Sequence, residues 1–171
     1  MRHILIDNHQ LDPTKCSYGL PWKHDAICFN FRGPEELILA DHLDDLGAPS
    51  EIETLVIGCE LDDYSFIAGM TNLQQLYIYT ATHMSSLDFV ENLLKLRQMY
   101  VANSHINSLD SLGKLLIEKK RLLDNENTLG NQLMYGVEGI CIESDVDLDG
   151  KELLTPKLYM SELIINKKHF R

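Results

Sequence analysis

The sequence predicts an α/β fold: a right-handed solenoid with a parallel concave sheet and short helical or irregular returns on its convex side. Three observations lead there. One apolar phrase, L-x-x-L-x-L with conservative replacements, recurs along the 171-residue chain. Its middle copies start 21 and 23 residues apart, and the last two are again 23 apart. Each copy alternates like a short strand with one buried side, then continues at three- and four-residue spacing like a helical return. One strand and its return cannot hide their leucines alone, so neighbouring units must stack around a shared core. With 44% apolar residues the chain can build that core as one domain, without metals or disulfides.

Residues 1–51 are expected to form an N-terminal cap and a degenerate first unit, with His24-x-x-Ile27-x-Phe29 as its worn copy of the phrase. Pro34, Glu35 and Glu36 open an amphipathic helix striped by Leu39, Leu43 and Leu46, with Gly47 as its stop. Proline suits a first helical turn, acidic side chains favour the positive end of the helix dipole, and glycine ends it. Residues 52–117 hold the regular repeats: Ile52-x-x-Leu55-x-Ile57, Leu73-x-x-Leu76-x-Ile78 and Leu96-x-x-Met99-x-Val101. Ser86 and Ser108 stand where N-caps of short return helices belong. Between the starts at 96 and 137 lie 41 residues, one repeat plus about 19 more. Residues 118–136 are that insertion; it prolongs the preceding helix through Leu123 and then loops out, either as tolerated surface chain or as a partner-contacting element. Residues 137–171 carry the C-terminal repeats and cap, with Val137-x-x-Ile140-x-Ile142 and the weaker Met160-x-x-Leu163-x-Ile165.

The fullest copy is preceded by Val90-x-x-Leu93 and continues as Val101-x-x-Ser104-x-Ile106-x-x-Leu109-x-x-Leu112-x-x-Leu115. This register resembles the roughly 22-residue class of leucine-rich repeats, of the internalin type. The resemblance covers residues 24–117 and 137–166. Where that family places an asparagine after the strand, this chain has Glu60, Ala81, Ser104 and Asp145. The side-chain ladder that lines the turn is therefore degraded: Ser104 and Asp145 retain the means to cap backbone amides, and Ala81 does not.

In this register the positions between the buried ones point away from the core, onto the concave sheet surface. The middle row is Cys28, Val56, Tyr77, Tyr100, Cys141 and Ile164. Two residues later come Asn30, Gly58, Tyr79, Ala102, Glu143 and Asn166, and the row before is Thr54, Gln75, Gln98, Gly139 and Glu162. Tyr77, Tyr79 and Tyr100 cluster among polar and small neighbours, with Gln75, Gln98 and Glu143 beside them, and form the candidate partner-binding surface. Tyrosine combines large contact area, few rotors and a polar tip, which suits binding hot spots. The same residues also fit ordinary cross-strand packing of β-favouring aromatics.

Composition narrows the partner. Twenty-six acidic against 15 basic residues leave a net charge of −11, which argues against nucleic acid or an anionic membrane. A protein or peptide is expected instead, and a basic one fits best; the same charge also keeps a protein soluble. Asp145, Asp147 and Asp149 before Gly150 match the first half of a calcium loop, yet its twelfth position is Pro156 and its eighth is Glu152. A solvated acidic turn is the competing reading. The four cysteines and seven histidines are scattered without metal-ligand spacing, so free thiols and no cofactor are expected. No phosphate loop, nucleophile elbow or paired-histidine helix is present, and the neighbours His24 and Asp25 have no nucleophile to serve. Ile4, Leu5 and Ile6 are cut short by Asp7 and do not make a secretory signal, so a cytoplasmic location is expected. The functional expectation is a non-enzymatic protein-binding module using its concave face; the alternatives are a small acidic inhibitor or immunity-type protein neutralising a basic toxin or enzyme, and a spacer or cap of a longer repeat array.

Overall fold

The phrase falls on the strands of one sheet in the computed structural model, which describes residues 2–6, 38–40, 46–125 and 128–170. The strands are β1 (Arg2–Ile6), β2 (Ile38–Ala40), β3 (Ile52–Ile57), β4 (Gln75–Ile78), β5 (Gln98–Ser104), β6 (Gly139–Ser144), β7 (Glu162–Ile165) and β8 (Lys168–His169), in the spatial order β2-β1-β3-β4-β5-β6-β7-β8. β1 to β7 run parallel and β8 folds back antiparallel on β7. The chain is therefore α/β with a mostly parallel sheet.

The expected register holds across the middle of the sheet. Leu55, Leu76, Met99, Ile140 and Leu163 are partners from strand to strand, as are Ile57, Ile78, Val101, Ile142 and Ile165. All ten are buried and belong to one core cluster, each contributing roughly 1.5–3 kcal/mol through removal of its side chain from water. The connections between strands supply the opposite wall of that core through Ile67, Met70, Leu87, Val90, Leu93, Leu112, Leu115 and Leu116.

Two features at the N-terminal edge correct the sequence reading. The neighbour of β3 is β1, with Ile4 opposite Leu55 and Ile6 opposite Ile57; Ile4 and Ile6 themselves carry the L-x-L spacing. The copy assigned to His24–Phe29 lies outside the described residues, as do Cys16, Cys28, Asn30, His24 and Asp25. The helix expected from Pro34 to Leu46 is also overturned where it can be compared: Ile38–Ala40 is a strand paired with β1, because a few residues gain more from ladder hydrogen bonds than from an isolated helical turn. Gly47 has a left-handed backbone, φ 73°, two residues before the 3-10 turn Pro49–Glu51.

The returns are mostly single 3-10 turns, at Ser65–Gly69, Asp88–Val90 and Gly150–Leu154. Ser86 and Ser108, expected as N-caps, stand one residue ahead of the N-cap positions, Leu87 being the N-cap of the Asp88–Val90 turn, and their hydroxyls accept the amides of Asp88 at 3.0 Å and Asp110 at 3.1 Å. The inserted segment is more ordered than a loop. It prolongs α1 (Asp110–Asn125) and adds a second helix, α2 (Leu129–Tyr135), whose first turn is capped by the Thr128 hydroxyl accepting the Asn131 amide at 3.1 Å. Lys119 of α1 is wholly buried and donates to the carbonyls of Leu94 at 2.6 Å and Tyr135 at 3.0 Å, tying α2 to the core. Among the described residues no helix is long and apolar enough to cross a membrane.

Candidate functional site

The rows that alternate with the core positions lie on the second face of the sheet, and the structure divides them sharply. In the middle row Val56, Tyr77, Cys141 and Ile164 are at most 3% exposed, while Tyr100 is half-buried. Tyr77 is thus corrected from a surface residue to a buried one. Its hydroxyl donates to the side-chain oxygen of Gln98, and burial together with the nearby charge of Glu138 holds its phenol well above the usual tyrosine range. Gln98 is 8% exposed and also donates to Glu138, so it too leaves the candidate surface. Gln75 is half-buried and accepts from the Thr54 hydroxyl at 3.3 Å. A parallel sheet buried on both faces is the ordinary case, and the apolar runs Leu55-Val56-Ile57, Ile140-Cys141-Ile142 and Leu163-Ile164-Ile165 are its sequence signal.

What stays open lies toward the C-terminal ends of the strands. Tyr79 and Tyr100, both half-buried, meet with ring centroids 5.8 Å apart at a 54° tilt, a favourable aromatic geometry. Asn103 donates to the Tyr79 carbonyl at 3.0 Å and lines a cavity of about 500 Å³ shared with Thr82, His105, Glu143, Asp145 and Lys167. Three residues around this cavity adopt the left-handed backbone region: Asn103 at φ 57°, Asn166 at 50° and Lys167 at 65°. Asparagine tolerates that region, whereas lysine does so at a cost.

The turns after the strands carry a set of side-chain hydrogen bonds, in which Ser104 stands at an expected position and Ser144 and Asn166 do not. Ser104 donates to the Glu143 carbonyl at 2.8 Å, Ser144 donates to the Ile106 carbonyl at 2.7 Å, and Asn166 accepts the Ser144 amide and donates to the Val146 carbonyl, both at 2.7 Å. Ser104 bonds a carbonyl instead of capping an amide, and Ala81 is buried in the core. Asp145 bonds outward to Nδ1 of His105 at 2.5 Å. One strand pair earlier, His83 meets Asp62 at 2.8 Å and Glu60 at 3.3 Å. Taking the histidines one by one missed these pairings; the signal was the repeat period itself, since His83 follows Asp62 by 21 positions.

Chemically, the open end of the sheet is an acidic rim holding two exposed histidines. The serine hydroxyls beside His105 and Asp145, those of Ser104 and Ser144, both donate to backbone carbonyls. The three aspartates of the calcium-like run are also engaged separately: Asp145 with His105, Asp147 with Lys168 at 3.3 Å, and Asp149 as cap of the Lys151 amide at 3.0 Å. Gly150 answers to packing, since a Cβ there would stand 2.8 Å from Ile165 and 3.0 Å from the Phe170 ring. Among the described residues no group of histidine, cysteine or carboxylate side chains is arranged to hold a metal ion. Glu162, in the first row of the second face, has one buried carboxylate oxygen without a hydrogen-bond partner.

Compared with known proteins, the chain matches no family model, no curated protein and no solved structure.

Proposed function

We propose that this chain is a leucine-rich-repeat solenoid acting as a protein-recognition module, and that it binds a basic protein or peptide at the C-terminal end of its sheet. The observation that carries the reading is the paired, half-buried Tyr79 and Tyr100, at the strands whose C-terminal ends lead to the cavity lined by Glu143 and Asp145. Aromatic anchors provide contact area, and the carboxylates select a cationic partner and speed its approach. The reading assigns no catalytic step to the chain. Neutralisation of a basic toxin or enzyme is the form of this function that the rim charge favours.

The test is site-specific photo-crosslinking in native cell extract from positions 79, 100 and 143, with the exposed position 92 as control. The expected outcome is one basic polypeptide captured from the first three positions, absent from the control and lost as salt rises. Alanine at Tyr79 and Tyr100 should together weaken that complex by more than about 2 kcal/mol. An identical capture pattern from position 92, or an acidic polypeptide held regardless of salt, overturns the reading.

A further inference from the structure

Six large apolar side chains are exposed among the described residues; Ile117 and Val146 stand apart, and the other four are at α2 and the cavity beside it. Leu129 is 73% exposed, Leu133 59% and Met134 43%, all on α2, and Tyr159 is 84% exposed. α2 buries none of its seven residues, and a helix that short does not hold itself in water. Its first turn is capped by Thr128, and two polar tethers hold it to the rest of the protein: Arg97 donating to the Leu133 carbonyl and Lys119 donating to the Tyr135 carbonyl. The backbone is thus fixed to the body of the protein while the large side chains point outward. That arrangement adds nothing to the chain's own core and makes sense as a contact surface.

Beside α2, at the N-terminal ends of β5 to β7, opens a cavity of about 490 Å³ walled by Leu123, Val137, Leu158 and Tyr159. Its charges are nearly all satisfied within the chain. Arg97 pairs with Glu138 at 2.6 Å, and Lys120 pairs with Asp124. Lys157 is exposed and has no ion-pair partner among the described residues, and its backbone sits in the left-handed region at φ 51°. Arg97, Lys120 and Lys157 against Asp124 and Glu138 make this cavity locally positive in a chain whose net charge is −11.

We propose that α2 and the adjoining cavity dock an amphipathic segment of another protein, apolar along one side and bearing a carboxylate that pairs with Lys157. The exposed leucines and Tyr159 take the apolar side, and the unpaired lysine selects the acidic group. A second copy of this chain is the poorer occupant, because two bodies of charge −11 repel. The surface lies at the opposite strand ends from the tyrosine pair and stands independently of the function proposed there.

The test titrates the full chain against fluorescent amphipathic helical peptides that share one leucine face and differ only in Glu, Gln or Lys at one rim position. The Glu peptide should bind at least about tenfold tighter than the Lys peptide. Lys157→Gln should erase that preference, and Leu133→Asp should abolish binding. Both positions are exposed, so circular dichroism and melting should match the parent; Met134→Gln serves as a second variant if Leu133→Asp does not fold. Absence of binding by every peptide overturns the proposal, as does binding indifferent to peptide charge and to Lys157→Gln. A dimer in sedimentation that Leu133→Asp dissolves overturns it in favour of a second copy as the occupant.

Discussion

The Tyr77 hydroxyl donates to the side-chain oxygen of Gln98, one strand away on the same face, and both side chains are closed off from water. Tyr77→Phe leaves that oxygen buried without its donor. The expected loss is about 1–3 kcal/mol in urea denaturation, and Tyr77→Ala should cost about 3–5 kcal/mol. A neutral Tyr77→Phe would show that the hydroxyl is not a structural bond.

Lys119 gives stability a dependence on pH. Burial, with a smaller contribution from the Arg97 charge, pushes its pKa down to about 7 from an ordinary value of 10.5. Between those values the unfolded chain binds a proton that the folded chain does not, so stability rises with pH by up to about 1.4 kcal/mol per unit. Tyr77 has the opposite sign: its raised pKa makes stability fall once unfolded tyrosine ionises near 10. Denaturation midpoints should therefore climb from pH 7 toward 10 and then drop. Lys119→Met should flatten the climb, and an unchanged slope in that variant would locate the titrating group elsewhere.

Gly150 is set by its neighbours. A methyl group there meets Ile165 at 2.8 Å and the Phe170 ring at 3.0 Å, so Gly150→Ala should destabilise by about 1–3 kcal/mol through overpacking. Thermal melts check this, and Gly130→Ala, where the nearest atom is 3.8 Å away, is the control.

The His105–Asp145 pair is exposed on both sides, at 55% and 60%. A double-mutant cycle with alanine at each position should return a coupling below about 1 kcal/mol. A larger coupling would mark the rim as more rigid than its exposure implies.

Arg97 reaches both Glu138 and the Leu133 carbonyl. Arg97→Ala should release α2 first, seen as faster amide hydrogen exchange over residues 129–135 with β3 and β4 unchanged. Uniform acceleration throughout would mean that the arginine supports the whole core.

What could be read in the sequence follows from which interactions repeat. Leu55, Leu76, Met99, Ile140 and Leu163 were legible because each rung demands the same buried aliphatic at the same spacing. Polar links between rungs obey the same period, as between Gln74 and Glu53 or Ser111 and Asp88, and that signal was available. Tyr77 was not legible as buried, because an aromatic in a strand fits a wet or a dry face and only its surroundings decide. Nor was β2, since Ile38–Ala40 is a strand by virtue of pairing with β1. Of the candidate surface, Tyr79, Tyr100 and Glu143 remain at least partly open, while Gln98 is drawn inward by two side-chain hydrogen bonds.

The position of β1 reaches beyond architecture. Its strand is an interior rung, flanked by β2 and β3, so the amino end works as a keystone. Pairing Ile4 with Leu55 closes a separation of 51 residues, against 21 for Leu55 with Leu76, and long closures are made late and slowly. Assembly should start in the middle rungs and finish when the first residues slot in. Deleting residues 2–6 would strip β2 of its only strand partner among the described residues and bare the hydrogen-bonding edge of β3 to other chains, turning a five-residue loss into an aggregation hazard.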